Sequence, residues 1–438
     1  MKSKCFVSGM KATIFVMAVA MAGAPTASRG DDAKEAIQVH ARHREAIYRK
    51  GERVDFEITA PGLQEVAWYL GKEGFPPVKQ GRIPLVDGRG IVSGVLEEPG
   101  FLACRVTGQL QAGGHAKSVS SRAAAAVSPE ELKASAPPPD DFEDFWATQK
   151  ALLATISPTL KSTSVPSNEP EVESADIRVA SLGAPVSGYY SKARNAQRGR
   201  HAAILTVHGY GVGGAKLDAT TRWAREGLLA LDINAHGLPN GQPEEFYKTL
   251  AEDYLQAYTT RQKVSRDHHY FVGLYLRVLR ALDFLASQPE WDGRHLIIQG
   301  SSQGGAQAVV GAGLDSRVSL FVAGVPAYAD VTGGQTGRIS GWPKFVHDEN
   351  GLLDPCAVEV ARYFDLVNFV RLTQAEGAFT VGFLDPTSPP STVYVLYNTH
   401  TGRKMIFNDI NTAHRNSPEA IRWMRNAVIN HLKAGGTK

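Results

Sequence analysis

Gly300-Ser301-Ser302-Gln303-Gly304 stands between two runs of opposite character. Before it, Arg294-His295-Leu296-Ile297-Ile298-Gln299 is short, apolar and β-branched, which reads as a buried strand. After it, Gly305-Ala306-Gln307-Ala308-Val309-Val310-Gly311-Ala312 is rich in small residues and reads as the start of a helix. Strand, G-x-S-x-G and helix together make a nucleophile elbow. The turn is too tight for large neighbours, so the residues two before and two after the serine are small. It pushes the hydroxyl of Ser302 out at the carboxyl end of a sheet, where ligands bind in open α/β folds. The five-residue pattern alone is a weak signal, because a Gly-rich turn with a solvated serine would also carry it. The flanks make it specific.

A serine hydroxyl is a poor nucleophile until a positioned base takes its proton, so the elbow predicts an acid and then a histidine further along. Ala378-Phe379-Thr380-Val381-Gly382-Phe383-Leu384 reads as a strand that ends at Asp385-Pro386, where the proline leaves the carboxylate at the strand tip. Lys404-Met405-Ile406-Phe407 reads as the next strand, followed by a polar loop and His414, with room for one helix, Ser391 to Asn398, between the two. Thirteen histidines compete for the role of base. His208 belongs to a separate loop, His268 and His269 precede a long helix, and His295 opens a strand. His400 comes too early, and His431 falls in a terminal amphipathic helix, where a solvated face is expected. His414 alone follows the last strand and precedes the last helix. Asp354 in a loop and Asp365 in a helical run from Val358 to Leu372 are weaker acids, the latter expected as a surface charge.

Charge building on the substrate carbonyl oxygen must meet preorganised N–H donors. One is the backbone N–H of Gln303, directly after the nucleophile. The other is expected after the strand Ala202-Ala203-Ile204-Leu205-Thr206-Val207, in His208-Gly209-Tyr210-Gly211, through the backbone of Tyr210. An ordinary Gly-rich turn is the alternative there. This set of parts predicts an α/β-hydrolase, a doubly wound sheet, over residues 142–438.

The remainder of the chain sets the context. At 438 residues it has room for two domains, and its net charge of +3, with no basic stripe interleaved with aromatics, argues against nucleic acid as a partner. Lys2, Lys4 and Lys11 followed by the apolar run Ala12 to Ala24 predict a signal peptide over residues 1–28 and a periplasmic or secreted protein. That run is too short to span a bilayer comfortably, and no other segment is apolar enough to do so. Cys5 leaves with the signal, and Cys104 and Cys356 are expected as two free buried thiols.

Residues 31–133 have a different texture. Short alternating runs, Glu45 to Tyr48, Arg53 to Ile58, Glu65 to Leu70 and Phe101 to Val106, stand between Pro61-Gly62, Asp87-Gly88 and Pro99-Gly100. They predict a small immunoglobulin-like β-sandwich with Trp68 in its core. The proline-rich residues 134–141 are the expected linker.

Residues 142 to the end resemble the acetyl xylan esterase and cephalosporin-C deacetylase family, carbohydrate esterase family seven. The matching stretches are Asp141-Phe142-Glu143-Asp144-Phe145-Trp146, His208-Gly209-Tyr210, Gly300-Ser301-Ser302-Gln303-Gly304-Gly305 and Pro389-Pro390-Ser391-Thr392-Val393-Tyr394. The resemblance implies Ser302, Asp385 and His414 as triad, Tyr210 and Gln303 as backbone donors, acetylated xylan or similar small esters as substrate, and neither metal nor cofactor. Two departures stand out. The arginine that usually follows the strand ending Asp232-Ile233-Asn234 is absent, which leaves its positioning role to a residue such as His236. Arg415 stands where a glutamate commonly follows the histidine. The preferred sugar is left open by these changes, and a homo-oligomer is neither specified nor excluded.

Three functions fit these residues: a secreted carbohydrate acetylesterase, another serine hydrolase of the same fold (a general short-chain esterase or a peptidase), or an inactive glycan-binding protein. Peptidases of this fold often carry a β-propeller, and no repeated blades occur here. A retired site usually loses a triad member, and all three are present.

Overall fold

The computed structural model describes residues 36–112, 115–348 and 350–435, so the leader expected over residues 1–28 lies outside the described residues. Among the described residues, eight strands precede Ser128: β1 (Gln38–Ala41), β2 (Ile47–Tyr48), β3 (Val54–Thr59), β4 (Glu65–Lys72), β5 (Lys79–Pro84), β6 (Arg89–Gly94), β7 (Gly100–Ala112) and β8 (His115–Val127). They form a three-stranded sheet, β1-β3-β6, and a five-stranded sheet, β2-β8-β7-β4-β5. Alternation drives their burial: in β3, Val54, Phe56 and Ile58 point in while Asp55, Glu57 and Thr59 point out. Trp68 is only half-buried, against the expectation of a core tryptophan, because it lies over Gly81 on the neighbouring edge strand β5. Cys104 is a free buried thiol as expected, whereas Cys356 is only half-buried.

The two faces of β7 meet different neighbours within one core. Leu102 packs toward Gly94 of the other sheet, whereas Phe101, on the opposite face, meets Phe383 edge-on with ring centroids 5.1 Å apart and Tyr394 at 5.8 Å. One apolar cluster therefore runs from Val54 and Phe56 through Phe101 to Val381, Phe383, Val393 and Val395. The proline-rich stretch beside it is also fixed. The Ser135 N–H donates to Asp330 at 2.8 Å, and Arg362 donates to the carbonyls of Pro137 and Pro138, each at 3.1 Å. Phe101→Ala is expected to cost about 3–5 kcal/mol, the usual range for a buried Phe→Ala change. Denaturant unfolding should show that loss for the whole chain rather than for the first 130 residues alone.

After helix α1 (Phe142–Ala154) the chain builds a nine-stranded sheet from β9 (Leu160–Val165), β10 (Val172–Val179), β11 (Val186–Ala193), β12 (His201–Val207), β13 (Leu229–Ile233), β14 (Trp291–Ser301), β15 (Val318–Gly324), β16 (Glu376–Gly382) and β17 (Lys404–Asp409). Its order is β17-β16-β15-β14-β12-β13-β11-β10-β9. Strands β12 to β17 pair in parallel, and β13 and β16 are buried along their whole length, mostly apolar as a parallel sheet requires, although each carries one acidic residue, Asp232 and Glu376. The antiparallel edge β9-β10-β11 left little trace in the sequence, because β9 is polar and faces solvent on both sides.

The helices are α2 (Leu217–Arg225), α3 (Glu244–Glu252), α4 (Tyr270–Ala286), α5 (Gln303–Leu314), α6 (Pro355–Ala361), α7 (Leu366–Val370), α8 (Pro390–Thr399) and α9 (Pro418–Gly435). The expected single run from Val358 to Leu372 is instead two helices. Asp365 breaks it by accepting from the Val367 N–H as the cap of α7. From β12 the chain first adds β13 on one side, then crosses to add β14 on the other. The crevice at the carboxyl ends of β12 and β14 is therefore the topological switch point, where open α/β sheets bind ligands.

Candidate active site

Ser302 sits between β14 and α5 with φ 58° and ψ −121°, a conformation that costs a non-glycine residue energy. Three backbone bonds hold it there: its N–H donates to Gly324 at 2.8 Å, and its carbonyl accepts from Ala306 at 3.0 Å and Ala327 at 3.1 Å. The flanking glycines are required by contact. A Cβ on Gly304 would lie 2.3 Å from the carbonyl oxygen of Val207, and one on Gly300 would lie 2.4 Å from the backbone of Gly304.

The structure brings the three sequence-predicted side chains together. The Nε2 of His414 lies 2.8 Å from the Ser302 hydroxyl, and its Nδ1 lies 2.7 Å from Oδ2 of Asp385. Asp385 is buried, and its Oδ1 accepts from the N–H groups of Thr387 at 2.8 Å and Ser388 at 2.9 Å. Such a chain lets the carboxylate fix the proton on Nδ1, leaving Nε2 free to take the serine proton.

Sequence reasoning missed the supports of the histidine loop. Asn416 donates to the hydroxyl of Ser301 at 3.0 Å and accepts from Thr380, while Ser417 donates to Asp409 at 3.0 Å. Gly382 lets that loop lie against β16, since a Cβ there would come 2.4 Å from the carbonyl of Ala413.

The backbone N–H groups of Tyr210 and Gln303 have no intramolecular acceptor among the described residues. The loop around Tyr210 is held by two neutral imidazoles. His208 accepts from the Ala235 N–H at 2.9 Å, so its proton is on Nδ1, directed at the Gly209 carbonyl 2.7 Å away. His236 donates to the Gly211 carbonyl at 3.0 Å and accepts from the Tyr270 hydroxyl at 2.6 Å. Burial pushes His236 down to about 3, which keeps it uncharged. Gln303 is locked by Tyr258, whose hydroxyl donates to its Oε1 at 2.6 Å, and Tyr258 in turn stacks on Tyr210 at 5.4 Å. Tyr258 lies in an irregular stretch between α3 and α4 that carried no sequence signal. Among the described residues, no three His, Cys, Asp or Glu side chains converge as a metal site.

The competing residues take structural positions. Asp354 caps α6, accepting from the Cys356 and Ala357 N–H groups. Asp365 is buried rather than a surface charge, and it accepts from the N–H groups of Asp330, Val331 and Val367. His431 is not on a solvated face either: it bonds Glu376 at 2.8 Å and Ser319 at 3.0 Å, because that side of α9 packs on the sheet.

Glu73, at the end of β4, reaches this region from the N-terminal sheets. Its Oε2 accepts from the Ser391 N–H in the first turn of α8 at 3.3 Å, while Oε1 is buried without a partner. Burial pushes this carboxyl up to about 8, with the nearby charge of Asp385 acting in the same direction. The folded protein therefore holds a proton that the unfolded chain releases near pH 4.5. The stability linked to it is complete below that pH and is lost as pH rises through about 8. Glu73→Gln should flatten this dependence, so that Tm of the wild type falls relative to the variant between pH 5 and pH 9. Parallel Tm curves would contradict the assignment.

Comparison with known proteins covers the same part of the chain. The acetyl xylan esterase (AXE1) family model matches residues 128–427. Acetyl esterase Axe7A of Xylanibacter ruminicola is 32% identical over 376 residues, covering 83% of each chain. An acetyl xylan esterase from Paenibacillus sp. R4 superposes with a TM-score of 0.60 at 24% identity, over 69% of this chain and 98% of that one. Acetyl xylan esterase 1 from Thermoanaerobacterium sp. JW/SL YS485 gives 0.59 at 19%, over 69% and 97%. These two share the fold of the hydrolase sheet and span nearly the whole of their own chains in doing so.

Proposed function

The chain belongs to the acetyl xylan esterase family and is a carboxylic ester hydrolase, and from that premise we propose that it is a secreted or periplasmic enzyme that deacetylates xylan, xylo-oligosaccharides or related carbohydrates through Ser302, His414 and Asp385. The observation that carries the mechanism is the unbroken chain from Asp385 to His414 to Ser302, at 2.7 and 2.8 Å. Nε2 of His414 takes the proton as Oγ of Ser302 attacks the acetyl carbon. The oxyanion is received by the N–H groups of Tyr210 and Gln303, which have no other acceptor among the described residues. The imidazolium returns its proton to the sugar oxygen as the C–O bond breaks, leaving an acetyl-serine. Water, deprotonated by the same nitrogen, then releases acetate. The leader-like residues 1–28 support export.

A small acyl group is favoured by the wall beside Tyr210. Tyr258 stacks on it and Trp342 meets it edge-on at 5.4 Å, while Gln303 is pinned behind. Helix α3 has no buried residue and mixes Glu244, Glu245, Lys248 and Glu252 with Phe246, Tyr247 and Leu250, unlike a wholly apolar lid. Each added methylene must then displace packed atoms at about 1–3 kcal/mol, so kcat/KM should fall about five- to a hundredfold from acetate to butyrate esters. The test is turnover of p-nitrophenyl esters from two to eight carbons, followed by acetate release from acetylated xylan. A flat or rising profile would select a general esterase, and no turnover at all would select a glycan-binding protein.

A further inference from the structure

A cavity of about 470 Å³ opens between the outer face of β4, β7 and β8 and the loops that follow β15 and β16. Its size falls in the range of small-ligand sites, about 300–1,000 Å³. Tyr69, Arg105 and Arg122 stand on the sheet side, and Lys344, Asp385 and Pro386 on the other. Arg105 and Arg122 are direct partners in the β7–β8 ladder, so their side chains leave the same face side by side. Like charges placed so destabilise a sheet unless something answers them. Among the described residues neither guanidinium pairs with a carboxylate, and Arg105 instead lies over the Tyr69 ring at 4.3 Å.

The other charges facing the cavity do not supply an anion. Lys344 adds a cation, and Lys72 adds another whose partner, Glu98 at 2.6 Å, does not line the cavity. Burial holds the Glu73 carboxyl up at about 8, so it is largely protonated at neutral pH. Asp385 is committed to His414, Thr387 and Ser388. The cavity also adjoins the chemistry. It shares Asp385 with the triad, so one imidazole and two hydrogen bonds, of 2.7 and 2.8 Å, separate its wall from the Ser302 hydroxyl. Ile339 and Lys344 face the cavity from the same loop whose Trp342 meets Tyr210 at the mouth.

We propose that this cavity is a substrate subsite for a carboxylate-bearing sugar, a hexuronate unit on the acetylated chain, with Arg105 and Arg122 as the carboxylate ligands. A guanidinium fork matches a carboxylate with two parallel bonds, and an aromatic face such as Tyr69 suits the apolar side of a sugar ring. The inference rests on the acetylated-carbohydrate reading above. It makes the N-terminal sheets a determinant of which acetylated glycans are preferred, through a surface that the hydrolase sheet alone lacks.

The test is acetate release by the full chain from acetylated xylo-oligosaccharides with and without one glucuronic acid branch, with p-nitrophenyl acetate as reference. The wild type should show a KM at least about tenfold lower for the branched substrate, as expected for hydrogen bonds to a charged group. Arg105→Ala/Arg122→Ala should bring the ratio of the two KM values to near one, through a rise in KM on the branched substrate with kcat little changed. Arg105→Lys/Arg122→Lys should restore part of the ratio. Equal KM values in the wild type would overturn the subsite, as would a double variant whose losses are the same on all three substrates. Equal inhibition of branched-substrate turnover by inorganic phosphate and by free glucuronate would also overturn it, by marking a general anion site. Turnover of p-nitrophenyl acetate without acetate release from either oligosaccharide would overturn the parent reading, and the subsite with it.

Discussion

Ser302→Ala is expected to lower kcat for acetate release by about 10³- to 10⁶-fold, since loss of a triad nucleophile leaves only binding and oxyanion stabilisation. The fold should survive the change. The strained backbone is held by Gly324, Ala306 and Ala327, none of which uses the hydroxyl, and the only side-chain bond lost is that to His414. Tm should therefore stay within a few degrees of wild type, as for a substitution of about 0.5 kcal/mol. Addition of His414→Ala should cost little more, because the imidazole has no proton to take once the hydroxyl is gone. Activity within tenfold of wild type, or losses that multiply in the double variant, would show that another residue attacks the ester.

The proposed nucleophile, acid and base could be picked out because each stands where a regular element must stop. Ser302 lies between an apolar strand and a small-residue helix, Asp385 precedes a proline, and His414 follows the last strand. The elements at the core of the parallel sheet were legible for another reason: buried on both faces, β13 and β16 read as mostly apolar runs, each with a single acidic residue. What failed to show was contact between distant segments. Tyr258 and Asn416 are ordinary polar residues in irregular chain, and their value lies in bonds to Gln303 and Ser301, which no local pattern announces. The polar edge strand β9 carried no period because neither of its faces is covered. Phe101 was read as part of an alternating strand, but both faces of β7 are buried there, one by its own sandwich and one by Phe383 and Tyr394.

Position alone also misplaced two charges. Asp365 and His431 sit in helical runs where solvent exposure is the default, yet each is turned inward onto specific partners. Asp365 shows what burial does to a carboxylate: its proton affinity is pushed up to about 7, with the neighbouring Asp330 acting in the same direction, although three N–H bonds oppose the shift. It is a buried aspartate with a well-formed hydrogen-bond set that has no histidine to orient, and it makes a natural control for the proposed acid, Asp385.

Asp385→Asn is expected to lower kcat at neutral pH by about 10⁴-fold with little change in KM, an effect that follows from which atoms donate. Thr387 and Ser388 both direct N–H groups at Oδ1, at 2.8 and 2.9 Å, so the amide oxygen of asparagine must occupy that place. Its NH2 group then takes the place of Oδ2, facing Nδ1 of His414 across 2.7 Å. Two donors cannot share that gap, so the imidazole must move its proton to Nε2, which lies 2.8 Å from the Ser302 hydroxyl. A protonated Nε2 cannot accept the serine proton, and the nucleophile stays silent although every heavy atom keeps its position. Asp365→Asn should instead alter stability and leave kcat within about threefold, since no path of hydrogen bonds leads from it to the imidazole. The comparison is steady-state kinetics of both variants on p-nitrophenyl acetate, alongside their Tm values. An Asp385→Asn enzyme within tenfold of wild type, or an Asp365→Asn enzyme as impaired in kcat as Asp385→Asn, would move the acid of the triad away from Asp385.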